Sequence, residues 1–198
     1  MKKGFSLPLW VAGAARSALK KLVGLPLENY ELIKIPNEHK EIKIEIHSVG
    51  LLKDDSHALG ITFAKSGLDL DITQNLEIWT IASLEKISFS NPVQTIPINI
   101  IAGSGVGIKE DTLEISISSF AKEVLYENVL DSIPEGFNLK LEIIFPNGKF
   151  LAERTSNKSF GIVEGLSIIG TSAETYSSAS PDQLEEAKTK LALSLIHI

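Results

Sequence analysis

Cysteine is absent from this sequence of 198 residues. Its absence excludes disulfide bonds, thiolate nucleophiles and Cys-ligated zinc or iron–sulfur sites, and we expect a reducing, cytoplasmic location. Basic residues are also in deficit, because 19 Lys and Arg stand against 25 Asp and Glu, which gives a net charge of −6. Binding of nucleic acid requires a concentrated excess of Lys and Arg, so we expect no nucleic-acid partner.

Long apolar runs are missing as well. No uninterrupted apolar segment approaches the roughly 20 residues that a transmembrane helix requires, so we expect no membrane partner. Histidines at metal-ligand spacing are also lacking, and no metal site is predicted from His39, His47, His57 and His197. The rest of the composition, with 43% hydrophobic and 22% charged residues, is that of a globular protein with a sizeable core.

The amino-terminal segment predicts an amphipathic helix. Apolar residues recur at helical spacing between Leu9 and Leu22, and Gly24 and Pro26 then provide the stop signals. Two lysines before an apolar run also fit a cleaved secretory signal, and this alternative stays open.

Alternating apolar residues predict several strands. The strands fall at residues 32–35, 42–46, 58–64, 76–84, 97–101 and 139–145. Asp111 and Glu114 form a capping pair that predicts a helix running towards Leu130. Pro146, Asn147 and Gly148, between two apolar runs, predict a β-hairpin. The order of elements indicates the α+β class, with a mainly antiparallel or mixed sheet and packed helices.

Two aspartates in a D-L-D-I-T segment are candidates for a charged site. Alternate side chains of an extended chain share one side, so Asp69 and Asp71, followed by Thr73, would lie close together. Repulsion between the two carboxylates would then raise the pKa of one of them, or the pair would hold a cation. Two solvated loop aspartates are the alternative, because turns favour Asp.

Two glycine-rich segments predict a close approach of the backbone to a ligand. Gly103, Gly105 and Gly107 form a G-x-G-x-G loop, for which a plain turn is the alternative. Residues 154–172 combine Arg154, one of two arginines in the sequence, with short polar side chains and three more glycines. Hydroxyls and backbone N–H groups of this kind bind oxygen-rich or anionic ligands, while a glycine-punctuated core strand is the other interpretation.

The spacing within this second segment resembles the central signature of the CbiD family, the cobalt-precorrin-5B (C1)-methyltransferases of anaerobic cobalamin biosynthesis. A T-x-N element there leads into G-I-x-x-G-x-S-I-x-G-T, matched by Thr155, Asn157, Gly161, Ile162, Gly165, Ser167, Ile168, Gly170 and Thr171. The family also carries D-x-D-[VL]-T at the aspartate segment and G-G-x-G-[VI]-G at the glycine loop, where this sequence has Ala102 first. At residues 6–10 the sequence lacks the T-T-G-S-C-type element of many members and resembles a cyanobacterial-type subgroup.

The resemblance implies transfer of a methyl group from S-adenosylmethionine to C1 of cobalt-precorrin-5B, giving cobalt-precorrin-6A. Cobalt would enter only as part of this tetrapyrrole substrate. The implied catalytic residues are Asp69 and Asp71. The substrate-binding candidates are Arg154, Thr155, Asn157, Lys158 and Thr73, with Arg154 as the clamp for a substrate carboxylate. The cofactor-binding candidates are Gly103, Gly105, Gly107, Gly165, Gly170 and Thr171.

The resemblance also implies a domain organisation. Residues 1–174 would form the amino-terminal α+β domain of a two-domain enzyme. Residues 175–198 would be a linker and the start of a truncated second domain, with an unrelated tail near 192–198. Two alternatives stay open: an exported, non-enzymatic β-rich binding module and an inactive fragment of the methyltransferase.

Overall fold

The computed structural model describes residues 3–52, 55–67, 71–87 and 97–176. Its helices are α1 (Leu7–Leu22), α2 (Ser119–Val129) and α3 (Gly148–Ala152), with 3₁₀ turns at Leu130–Ser132 and Asn157–Phe160. Its strands are β1 (Lys3–Phe5), β2 (Tyr30–Lys34), β3 (Glu41–Glu45), β4 (Ser48–Leu51), β5 (His57–Phe63), β6 (Glu77–Lys86), β7 (Ile98–Ala102), β8 (Gly105–Val106), β9 (Ile108–Lys109), β10 (Phe137–Ile144), β11 (Ile162–Val163), β12 (Gly165–Leu166) and β13 (Glu174–Tyr176). Within these ranges, no helix has the length and apolar character that crossing a membrane requires.

A five-stranded mixed sheet forms the centre of the fold, in the order β4-β5-β6-β10-β7. Strand β10 pairs antiparallel with β6 and parallel with β7, while β4, β5 and β6 are antiparallel neighbours. Alternate residues of β10, Leu139, Leu141 and Ile143, are fully buried on one face. The predicted α+β class with a mixed sheet is confirmed.

Helix α1 packs on this sheet against β5 and β6 and also contacts α2. Glycine allows the helix and the sheet to approach closely. A Cβ on Gly60 of β5 would lie only 2.2 Å from the carbonyl oxygen of Ala14 in α1. The β2–β3 hairpin also packs against α1, where a Cβ on Gly13 would lie 2.6 Å from Cγ2 of Ile44. The predicted helix is confirmed, but it is buried nearly all round and leaves only a narrow, half-exposed stripe that includes Arg16.

Strands β2 and β3 pair antiparallel as a hairpin, and both lie where strands were predicted. One amide side chain of helix α2 binds the end of β2. The Asn128 side chain accepts the backbone N–H of Lys34 at 2.8 Å and donates to the backbone carbonyl of Lys34 at 2.9 Å. Asn128 is buried, so these bonds satisfy its own amide group away from water.

Helix α2 begins at Ser119, later than the start at Asp111 that the predicted capping pair implied. Leu113 has a φ of +59° and is 72% exposed, so the chain turns there and is not helical. The actual N-cap is Ser118, whose Oγ accepts the backbone N–H of Ala121 at 3.2 Å. The proposed Asp111 start was therefore wrong, although Ala121, Val124 and Leu125 of the helix are buried in the core.

The hairpin predicted at Pro146-Asn147-Gly148 was also wrong. The N–H of Gly148 donates to the carbonyl of Phe145 at 2.7 Å, and the chain enters α3. A Cβ on Gly148 would lie 2.1 Å from the carbonyl oxygen of Gly105, so glycine here serves close packing against a distant segment. The strands beside β10 are therefore β6 and β7, from earlier in the chain.

We expect Ser118→Ala to lower the free energy of unfolding by about 1 kcal/mol, the usual loss on removing an N-cap side chain. The substitution removes the bond from Ala121 and also the bond that the Ser118 hydroxyl donates to the carbonyl of Gly170 at 3.0 Å. Urea denaturation followed by circular dichroism measures the change. Ser119→Ala, at the exposed next position, is the control and should change stability by less than about 0.5 kcal/mol. Equal losses in both variants would contradict the capping role.

Candidate functional site

The two ends of the described chain meet at one place. Strand β1 pairs antiparallel with β13, with Phe5 opposite Glu174, so the start of α1 lies beside residues 170–175. The loop before β6 and the segment after α3 line further sides. Together these segments form a half-open cavity of about 460 Å³, called here the first cavity. Six of the predicted site residues line it: Asp71, Thr73, Thr155, Asn157, Gly170 and Thr171.

The size and lining of the first cavity suit a small molecule. Its volume of about 460 Å³ lies within the roughly 300–1,000 Å³ usual for small-molecule sites. Leu7, Leu166 and Ile169 supply an apolar wall between the polar groups. Such a lining provides both contact area and a few orienting hydrogen bonds.

Asp71 is held at the cavity wall by a local turn. Its Oδ1 accepts the backbone N–H of Thr73 at 2.8 Å and the Thr73 hydroxyl at 2.7 Å, and its carbonyl accepts the N–H of Gln74 at 2.9 Å. Within the described chain, Oδ2 of Asp71 has no hydrogen-bond partner. Asp69, the predicted companion carboxylate, lies outside the described residues.

Thr155 and Asn157 are oriented by the turn that follows α3. The Thr155 hydroxyl donates to the carbonyl of Ala152 at 2.7 Å and accepts the N–H of Asn157 at 3.2 Å. The Asn157 side chain donates to the carbonyl of Gly165 at 3.2 Å. Both residues line the first cavity and also a second cavity of about 340 Å³. They therefore form a wall shared by the two cavities.

The second cavity carries charges of both signs. Lys158 and Gly165, both predicted site residues, line it together with Lys149 and Glu164. The last two form an exposed ion pair at 2.8 Å, and this hydrogen bond from Lys149 to the carboxylate raises the pKa of the lysine. Glu153 lines the second cavity as well, so its lining holds two lysines and two glutamates. Among the described residues Lys158 has no ion-pair partner, so its ammonium group is available to a ligand that carries carboxylates.

The glycine loop has a structural role. Strand β8 pairs in parallel with β12, with Gly105 opposite Gly165. A Cβ on Gly105 would lie 2.0 Å from the carbonyl oxygen of Phe145, one on Gly107 2.7 Å from Ile162 Cγ2, and one on Gly103 2.5 Å from Ile144 Cγ1.

The three loop glycines and Arg154 are not among the described residues that line either cavity. Close packing of chain segments is a sufficient reason for glycine at Gly103, Gly105 and Gly107, and their role in cofactor binding stays a prediction. Arg154 is exposed, and its role as a carboxylate clamp likewise stays a prediction.

Sequence reasoning missed Ser6, Leu7 and Glu174, all of which line the first cavity. Their placement depends on the pairing of β1 with β13, which no local pattern reveals. A serine directly before a helical pattern with Pro8 in its first turn is an N-cap signal, and that signal was available at Ser6.

The model of the CbiD family matches residues 1–177 of this chain. The chain belongs to the CbiD family. A protein named cobalt-precorrin-5B C(1)-methyltransferase from Prochlorococcus marinus strain MIT 9312 is 91% identical over 192 residues, covering 97% of this chain and 52% of the relative. One of the same name from strain MIT 9515 is 70% identical over 197 residues, covering 100% of this chain and 53% of the relative. The chain thus spans about half the length of the curated relatives it matches.

A solved structure supports the fold. The crystal structure of cobalamin biosynthesis protein (cbiD) from Archaeoglobus fulgidus matches with a TM-score of 0.65 at 23% identity, covering 97% of this chain and 60% of that chain. The relatives are named as methyltransferases and not as exported binding modules.

Proposed function

We propose that the whole protein transfers a methyl group from S-adenosylmethionine to C1 of cobalt-precorrin-5B, giving cobalt-precorrin-6A in anaerobic cobalamin biosynthesis. Membership of the CbiD family supports this proposal, as do relatives named for that methyltransferase. We further propose that residues 1–174 form an amino-terminal domain, that a linker and a second domain follow, and that the enzyme is cytoplasmic. The lack of cysteine is compatible with that location.

The shared wall between the cavities carries the proposal. Methyl transfer requires two small molecules to be held with the reacting atoms close together and aligned. The two cavities adjoin at Thr155 and Asn157, so a donor in one and an acceptor in the other would meet beside these two residues.

Charge assigns the two ligands to the two cavities. S-adenosylmethionine carries a cationic sulfonium and an ammonium group, which suit the first cavity with Asp71. The tetrapyrrole carries acetate and propionate groups, which suit Lys158 at the second cavity. Lys149 would join it where a substrate carboxylate replaces Glu164 as its partner. Arg154 would add a clamp for one of these carboxylates.

The methyl donor supplies a methyl group already activated on sulfur, so no nucleophilic side chain is needed. The residues of this chain would orient the ligands, exclude water and accept a proton where the macrocycle releases one. Asp71, with Asp69, is proposed for the proton or for the ammonium of the donor. Thr73 fixes the orientation of the Asp71 carboxylate.

We expect Asn157→Ala to lower kcat/KM for methyl transfer by about tenfold or more, because small misplacements of reacting atoms are costly. The assay follows labelled methyl from S-adenosylmethionine to cobalt-precorrin-5B, with the chain completed to the length of its relatives. Asn29→Ala, at an exposed position, is the control and should leave the rate unchanged. If the unaltered protein transfers no label, the function is wrong. If Asn157→Ala has full activity, the two ligands do not meet at the shared wall.

A further inference from the structure

Ser6 is a buried hydroxyl without a partner. It occupies the N-cap of α1 with φ −68° and ψ 153°, yet its side chain makes no cap hydrogen bond. The residue is 6% exposed, and within the described chain its Oγ has no hydrogen-bond partner. Leaving a buried hydroxyl unpaired is costly, so a ligand that pairs with it is a direct explanation. Ser6 lines the first cavity. Its Oγ is buried in the present rotamer, so contact with a ligand requires a change to another staggered rotamer.

The start of α1 is the positive element of the first cavity. The helix is 16 residues long. In its first turn Pro8 has no N–H, and the N–H of Leu9 donates to the carbonyl of Ser6 at 3.1 Å. The N–H of Leu7 has no acceptor among the described residues, as is usual at a helix start. Leu7, in the first helical position, lines the cavity beside Ser6. No Lys or Arg occurs among the described residues of the cavity lining. An anionic group in this cavity would therefore bind at the helix terminus, where N–H groups and the helix dipole favour negative charge.

Negative charge lies on another part of the same lining. Asp71 and Glu174 are its carboxylates. Glu174 pairs with Lys40. Asp71 has no cationic partner among the described residues, and both of its side-chain hydrogen bonds end on Oδ1. Oδ2 is thus available to a cationic group of a ligand.

We propose that the first cavity recognises the zwitterionic α-amino acid group of its ligand. The carboxylate binds the Ser6 hydroxyl and the N–H of Leu7, and the ammonium binds Asp71. This inference rests on the proposed function, because the methyl donor placed in this cavity carries such a group at its methionine end. It assigns Ser6 and α1 a ligand-binding role.

Ser6→Ala has a stability signature that separates this role from helix capping. Since the hydroxyl makes no bond within the described chain, its removal should leave the Tm of the ligand-free protein unchanged or raise it. Ser118→Ala, at the N-cap with a real cap bond, should lower the Tm. A similar drop for Ser6→Ala would show that Ser6 is a structural cap and would overturn the inference.

The binding test compares S-adenosylmethionine with decarboxylated S-adenosylmethionine by calorimetry, on the chain completed to the length of its relatives. Removal of the carboxylate should weaken binding to the unaltered protein about tenfold, since charge-assisted hydrogen bonds are lost. Ser6→Ala should weaken binding of S-adenosylmethionine about fivefold and leave the decarboxylated compound within about twofold. Asp71→Asn keeps an acceptor oxygen for Thr73 and should weaken both compounds about tenfold, because both retain the ammonium. Ser48→Ala, at an exposed position of β4, is the control for binding and should change neither affinity.

The outcomes separate this inference from the function on which it rests. Failure of the unaltered protein to bind S-adenosylmethionine at all would remove the proposed function and the inference together. Binding with equal affinity for both compounds would leave the function intact and overturn the carboxylate subsite. A Ser6→Ala variant that weakens only binding of the tetrapyrrole would also overturn it, since the carboxylate would then belong to the acceptor.

Discussion

Gly165→Ala should reduce the free energy of unfolding by at least about 3 kcal/mol, at the upper end of the cost of overpacking a core. Gly165 lies in β12, opposite Gly105 of β8. An added Cβ would sit 1.9 Å from the carbonyl oxygen of Gly105 and 2.1 Å from its carbonyl carbon. Both atoms belong to the backbone, so relief requires separation of two chain segments and not rotation of a side chain. Denaturant unfolding measures the loss, and a variant that fails to fold would agree with it.

Two other glycines serve as controls for Gly165→Ala. Gly50 in β4 has open space around its Cβ position, so Gly50→Ala should change stability by no more than about 1 kcal/mol, in the stabilising direction. Gly161 also has open space but a φ of +67°, so Gly161→Ala should cost about 1 kcal/mol from backbone strain alone. If Gly165→Ala costs no more than Gly161→Ala, crowding between β8 and β12 is not the reason for glycine at this position.

Glu31→Gln should cost about 2–3 kcal/mol of stability, because removing one member of a buried ion cluster leaves the others unpaired. Glu31 of β2 is 3% exposed and accepts from Arg16 Nε at 3.1 Å and from Lys20 Nζ at 2.9 Å. Arg16 also donates to the carbonyl of Asn128 at 3.1 Å, so the cluster joins α1, β2 and α2. The side chains of Arg16 and Lys20 are 26% and 18% exposed, which lets water recover part of the loss.

Glu41→Gln, at an exposed position of the neighbouring strand β3, is the matched control for Glu31→Gln. It makes the same chemical change without burial and should alter stability by less than about 0.5 kcal/mol. Thermal and urea unfolding of the two variants, at equal pH and ionic strength, provide the comparison. Similar small effects in both would show that the Glu31 cluster does not stabilise the fold.

Elements with a strong local pattern were predictable from the sequence. The first helix, the β2–β3 hairpin and strands β5, β6 and β7 each carry their own apolar period, and the structure contains them. The pattern failed where distant segments decide the local conformation. Gly148 was predicted to be part of a hairpin turn. In the structure it packs against Gly105 and is the first residue of α3.

The candidate site was predictable only in part. Asp71, Thr73, Thr155, Asn157, Gly170 and Thr171 were named from motifs, and they line one cavity. Their catalytic and binding roles stay predictions. The glycines of β8 and its loop were named for the same kind of motif, yet they contact other backbone segments. A glycine leaves space for any backbone that approaches it, and the sequence does not tell whether a ligand or another strand fills that space.

The sequence by itself determined the family signature, the α+β class and most of the longer helices and strands, because each depends on residues close together in the chain. Only the tertiary structure decided that β1 joins β13, that β8 joins β12, and that Ser6 therefore lies at the same cavity as Asp71. These contacts depend on pairing between segments far apart in sequence. Such pairing follows from the packing of the whole core and leaves no periodic pattern in either partner.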